Sequence, residues 1–178
     1  MDNGLIPRRY AKALYKFALE KGETEKIYEL SKRVIEAFRE NPDLQKVLSN
    51  PFISDEDKEK LLLSAAGEND KIFSQFVLLI LSQKRVEYAN AMMLAYRDIY
   101  RKENHISQAK ITTATKLDES RMNKLRKLVK DAFKDRKLEF SEAVDPALIG
   151  GFVIDVDSVR MDASLSNELE QLRQTLLS

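Results

Sequence analysis

The sequence predicts a mostly α-helical protein, an N-terminal six-helix bundle followed by a small α+β C-terminal domain, on three observations. Over the first hundred residues apolar side chains recur at spacings of three and four, cut by stop signals at Gly22, Asn41-Pro42, Asn50-Pro51 and Gly67. From Ile106 to Thr115 the pattern turns short, β-branched and partly alternating, as a strand does. Two of only five glycines, Gly150 and Gly151, sit side by side between apolar runs, where the backbone must turn. The boundary falls between residues 101 and 108, giving domains over 1–104 and 105–178.

Leu5, Tyr10, Ala13, Leu14, Phe17 and Ala18 phase a first helix, which Gly22 closes. A second runs from about Thr24, with Ile27, Leu30, Val34, Ala37 and Phe38 on one stripe. Pro42 opens a short third helix through Leu44, Val47 and Leu48, because proline in a first turn forfeits no hydrogen bond. Ser54 caps the fourth, with Asp55, Glu56 and Asp57 placed to meet its dipole. After the break at Gly67-Glu68-Asn69-Asp70 come a fifth helix, Ile72 to Gln83, and a sixth from Val86 to about Glu103. Val86, Ala89, Met93, Tyr96 and Tyr100 are in register along the sixth. Six helices with short connections imply an antiparallel bundle.

In the second half, Asp118 opens a helix with Met122, Leu125, Val129, Ala132 and Phe133 facing inward. Leu138-Glu139-Phe140 alternates, Asp145-Pro146 turns, and Phe152-Val153-Ile154 reads as a buried strand. Asp157-Ser158 is a tight turn into a return strand, Val159 to Met161. Ser164 then caps a last helix carrying Leu165, Leu169, Leu172 and Leu176.

Composition narrows the function classes. Lys and Arg total 30 against 29 acids, so no global field selects nucleic acid or a membrane surface. There are no cysteines, which excludes disulfides and thiolate metal sites. The longest apolar run, Phe76 to Leu81, is six residues, against the roughly 20 a membrane span needs. The leader has neither a secretory h-region nor the Arg-rich, acid-poor character of a transit peptide, which points to a bacterial source. His105 is the only histidine, with no serine or cysteine motif beside it, and reads as solvated or capping. Asp145, Asp155, Asp157 and Asp162 fit no metal-loop spacing, and turn chemistry accounts for Asp145 and Asp157. No Gly-rich phosphate cradle is present. The expectation is therefore a non-enzyme without cofactor or metal.

Charge is segregated in the second domain. From Lys116 to Lys137 nine basic residues face four acidic; from Leu138 onward two basic face eight acidic. Lys124, Arg126, Lys127, Lys130 and Lys134 share a helix that could pair within its own domain or dock on another protein. It lacks the aromatic interleaving of a nucleic-acid reader. In the fifth helix, Phe73, Phe76, Val77, Leu78, Leu79, Ile80 and Leu81 cover the whole circumference, so it must be buried on every side. A hundred-residue bundle can hardly surround it. With the small residues Ala11, Ala13 and Ala18 on the first helix, the two could form a groove for a partner's amphipathic helix.

Two motifs at opposite ends carry a family resemblance. One is Arg9-Tyr10-Ala11-Lys12-Ala13-Leu14-Tyr15. The other is Val144-Asp145-Pro146-Ala147-Leu148-Ile149-Gly150-Gly151-Phe152, continued by Met161-Asp162-Ala163-Ser164-Leu165. Together they resemble the delta subunit of the F-type ATP synthase, whose mitochondrial relative is the oligomycin-sensitivity-conferring protein, essentially end to end. The resemblance implies a stator: one copy per complex joins the catalytic head to the membrane-anchored peripheral stalk and keeps the head from turning with the rotor. It implies that the first and fifth helices grip an N-terminal helix of an alpha subunit. By position the contact residues are Tyr10, Ala13, Leu14 and Phe17 with Phe76, Leu79, Ile80 and Gln83; Ala13 and Leu79 are the preferred pair. The C-terminal domain would bind the ends of the b subunits, with Gly150, Gly151, Asp162 and Ser164 as structural devices. Asp155 and Ser166 stand where family members often carry basic residues, which leaves the stalk contacts open. The implied location is peripheral, on the cytoplasmic face of the bacterial cell membrane. The alternatives are an unrelated helical adaptor for amphipathic peptides and, further off, a nucleic-acid-binding protein, whose phosphate contacts would weaken steeply with salt.

Overall fold

The computed structural model describes residues 4–67, 70–134 and 136–177; Met1–Asn3, and Glu68 and Asn69 of the break before the fifth helix, lie outside them. The chain divides into two compact units, Met1–Glu103 and Asn104–Ser178. The first contains α1 (Leu5–Lys21), α2 (Thr24–Glu40), α3 (Asp43–Ser49), α4 (Asp55–Ala66), α5 (Lys71–Ser82) and α6 (Ala89–Glu103). The sixth helix starts three residues later than its apolar register suggested. Val86–Tyr88 form a 3-10 turn instead, after Lys84 turns the chain at a φ of 53°.

Helices α1 and α2 both pack along α6, and α4 packs against α2 and α5. The periodic residues meet inside: Ile27, Leu30, Val34, Leu48, Leu62, Phe73, Val77, Met92 and Met93 are all essentially solvent-free. Each buried side chain of this size stabilises the fold by about 1.5–3 kcal/mol relative to exposure. Tyr96 is fully buried, and its hydroxyl donates to the Thr24 carbonyl at 3.0 Å. Burial, with Tyr15 and Tyr100 nearby, pushes its phenol well above the usual value. Tyr28 and Tyr100 stack at 4.1 Å between centroids, tying α2 to α6.

The second unit is a four-stranded mixed sheet with two helices. Its elements are β1 (Ile106–Thr113), α7 (Glu119–Ala132), β2 (Lys137–Val144), β3 (Gly151–Val156), β4 (Val159–Ser164) and α8 (Leu165–Leu177). The strand order is β2-β1-β3-β4. β2 pairs parallel to β1, from Ile106↔Lys137 to Thr113↔Val144, with α7 as the crossover; β3 and β4 add antiparallel. Ala109, Ile111, Ile154 and Val156 face Met122 and Val129 of α7 in the core. Val153, on the opposite face of β3, is buried as well, so the apolar run Phe152-Val153-Ile154 does not alternate.

Candidate helix-docking groove

Helix α5 begins at Asp70, whose Oδ1 accepts the amides of Ile72 and Phe73, each at 2.9 Å. That cap fixes the helix start and hence its rotational phase. Phe73, Phe76, Val77, Ile80 and Leu81 turn into the bundle, while Leu78 and Leu79 remain 50% and 46% exposed. A helix apolar on all sides thus leaves two leucines on the surface.

Leu79 stands beside α1. Tyr10, Ala13, Leu14 and Phe17 from α1 and Gln75, Phe76 and Leu79 from α5 enclose a groove of about 220 Å³. Residues 10, 13, 14 and 17 share one helical face, and 75, 76 and 79 another, so two regular helices suffice to build it. Ala13 is exposed and small, which leaves room above the floor that Leu14 and Phe76 form. The lining contains no titratable group apart from the Tyr10 phenol. At one end, Nζ of Lys21 lies 6.0 Å from the Phe17 ring centroid. Such a surface can take up apolar side chains of a helix, with the Gln75 amide available to a polar edge.

The structure brings together six of the eight positions expected from sequence. Ile80 is a correction: at 1% exposure it belongs to the core and offers a partner no surface. Gln83 is exposed at the C-terminus of α5, where its backbone N–H donates to the Leu79 carbonyl at 3.1 Å, and it does not line the groove. Gln75 was missed, since a lone polar residue in an apolar helix carries no apolar signal.

In the second unit, Ile149 adopts a φ of 64° and the Gly150 amide donates to the Leu148 carbonyl at 2.7 Å, a three-residue turn into β3. A Cβ on Gly151 would lie 2.1 Å from the Ala163 carbonyl oxygen, and one on Gly150 2.5 Å from Cδ1 of Leu165. The pair therefore lets β3 and the start of α8 close on the turn. Oδ1 of Asp162 accepts both the amide and the hydroxyl of Ser164, at 3.1 and 2.6 Å. Ser164 Oγ in turn accepts the Asn167 amide at 3.2 Å, capping α8. These bonds, the hydroxyl first, hold the Asp162 carboxyl below its usual range. Leu165, Leu169 and Leu172 are exposed along α8; the side chain of Leu176 lies outside the described residues.

The remaining candidates are engaged locally. Asp145 accepts the Ala147 amide at 3.0 Å, and Asp157 accepts the Gln108 amide at 3.2 Å and pairs with Arg136 at 3.1 Å. Among the described residues no group of three His, Cys, Asp or Glu could hold a metal ion. His105 is exposed in the turn before β1, at a φ of 52°. On α7, Arg126 pairs with Glu142, and Lys130 lies 5.8 Å from the Phe140 centroid, so part of the basic helix is satisfied within its own domain. No described helix is long and apolar enough to cross a membrane.

Comparison with known proteins gives one consistent answer. A family profile for the ATP synthase delta (OSCP) subunit matches residues 6–176. The chain is similar to the ATP synthase subunit delta of Parabacteroides distasonis, at 37% identity over 179 residues, covering 99% of this chain and 98% of that one. The namesake from Phocaeicola vulgatus is 36% identical, covering 98% and 95%, and that from Bacteroides thetaiotaomicron 34%, covering 99% and 96%. In fold it matches a chain of the cryo-EM structure of the Toxoplasma gondii mitochondrial ATP synthase hexamer, with a TM-score of 0.70, 19% identity and 97% of both chains covered.

Proposed function

Since the chain belongs to the ATP synthase delta (OSCP) subunit family, a set of non-catalytic stator subunits, we propose that its α1–α5 groove holds the N-terminal helix of an alpha subunit. The observation that carries the reading is the pairing of Ala13 with Leu79: an open, small position across from a half-exposed leucine, over a floor of Leu14 and Phe76. Apolar burial at that point suits a permanent attachment, because it does not weaken with salt as a surface ion pair does. The leucine stripe of α8, Leu165, Leu169 and Leu172, is the face we assign to the b subunits of the peripheral stalk. One copy then bridges head and stalk on the cytoplasmic side of the membrane, so that torque from the rotor meets a fixed head.

The test is calorimetric titration of the full chain with a peptide copying the alpha-subunit N-terminus of the same organism. Saturable one-to-one binding with a negative heat-capacity change is expected, the sign of apolar burial. Absence of binding to the folded chain would overturn the groove assignment and leave family membership untouched.

A further inference from the structure

Helix α1 has a second groove on its other flank, against α6, with a volume of about 1000 Å³. Leu5 and Leu19 lie along its α1 wall, 58% and 59% exposed. They are fourteen residues apart and on nearly the same side of the helix, which sets them roughly 21 Å apart along its axis. Ala91 and Ala95, one turn apart on α6, leave space on the opposite wall, and Tyr15 lies between.

The charge along this groove is one-sided. Arg8, Lys12 and Lys16 follow each other at intervals of four and form a single row beside it. All three are exposed, and none makes an ion pair among the described residues. Across from them α6 presents Asp98 and Glu103 but also Lys102, which does not neutralise the row. Helix α1 as a whole carries five basic residues against the single acid Glu20. It also has no acid in its first turn and no side-chain cap, and instead places Arg8 and Arg9 near its positive dipole end. A cation at that end is unfavourable. A local rule broken with no ion pair to Arg8, Lys12 or Lys16 among the described residues points outward, to a negatively charged partner.

We propose that the α1–α6 groove is a second docking site, taking an acidic amphipathic helix of a protein partner about four turns long. Its acidic residues meet Arg8, Lys12 and Lys16, and its apolar side chains pack against Leu5 and Leu19 at the two ends and against Ala91 and Ala95 between them. This site is independent of the α1–α5 groove, since Tyr10, Ala13, Leu14 and Phe17 face the other way. A concave channel between two helices accommodates a helix, whereas a lipid surface would reach only its rims.

The experiment uses isotope-labelled full-length protein and two synthetic helical peptides of about sixteen residues. One carries leucine on its seam and glutamate at every fourth position beside it; in the other, lysine replaces glutamate. The expected result is shift changes at Leu19, Ala91 and Ala95 with the acidic peptide and at least roughly tenfold weaker binding of the lysine peptide. A similar loss is expected in a Lys12→Glu/Lys16→Glu variant, whose changes are confined to exposed positions. Shifts confined to Ala13 and Leu79, equal binding of both peptides, or binding of phosphatidylglycerol vesicles without binding of the peptide would each overturn the proposal.

Discussion

Lys26 of α2 places its Nζ 2.7 Å from Oδ2 of Asp70, the residue that caps α5. The carboxylate is thus divided, one oxygen for two helix amides and the other for a cation on a neighbouring helix. Burial pushes the Asp70 carboxyl up, but the hydrogen bond and charge of Lys26, with the Phe73 and Ile72 amides, outweigh it and hold it below the usual 3.8. The pair fixes the helix that supplies one wall of the α1–α5 groove.

Asp70→Ala should destabilise the first unit by about 2 kcal/mol at neutral pH, read by urea denaturation. Folded Asp70 is a stronger acid than unfolded Asp70, so the unfolded chain takes up its proton first. The stabilisation is therefore complete above about pH 5 and lost as pH falls through the folded value. The gap between wild type and Asp70→Asn should accordingly narrow by about pH 3. A gap that is constant with pH would contradict the role of the charge.

At the groove, Ala13→Glu alters an exposed position and should change stability by no more than about 0.5 kcal/mol, and Leu79→Asp, at a half-exposed one, by about 1 kcal/mol. Affinity for the alpha-subunit peptide should fall at least roughly tenfold in each, because a charge would be buried against an apolar helix. Calorimetry on the variants, with thermal melts as the control for folding, checks both halves.

The two adjacent glycines should not be equivalent. Gly151→Ala meets backbone at a φ of +75° and should cost about 3 kcal/mol. Gly150→Ala meets only side-chain atoms, Cδ1 and Cγ of Leu165 at 2.5 and 3.1 Å, which can shift, and should cost about 1 kcal/mol. Amide exchange in β3 and β4 would register the difference, with the amides of the first unit as an internal reference.

Ser164→Ala removes the N-cap of α8 and should raise exchange in its first turn by an amount equivalent to about 1 kcal/mol. Unchanged protection of the Asn167 amide would show that the Asp162–Ser164 link is not what starts the helix.

The elements with strong periodicity were readable from sequence, and the losses have identifiable causes. Ser54, Asp118 and Ser164 announced their helices because each precedes a periodic run, and each does accept a first-turn amide. Asp70 read as part of a break; its second oxygen is held by Lys26, forty-four positions earlier, a partner that no local pattern contains. Helix α5 concealed which residues face out, because an all-apolar helix has no phase until its neighbours are placed. That is why Leu79 and Ile80 looked alike and only Leu79 lines the groove. Strand β2 showed only Leu138 to Phe140 of its eight residues, since an edge strand exposes Glu142 and Lys137 and carries a thin apolar signal. The basic row on α1 carries a weaker sequence signal than the more basic stretch around α7, where part of the charge is internally matched.

The walls of the α1–α5 groove are held by a capped, salt-bridged helix on one side and by the α1–α6 packing on the other. The consequence is kinetic. With both walls held, the ordering entropy falls mainly on the incoming segment. Changes in the groove will then register mainly in how long a docked segment stays, and far less in how fast it arrives. In the proposed docking, residence time under repeated torque is the quantity that Ala13 and Leu79 would set.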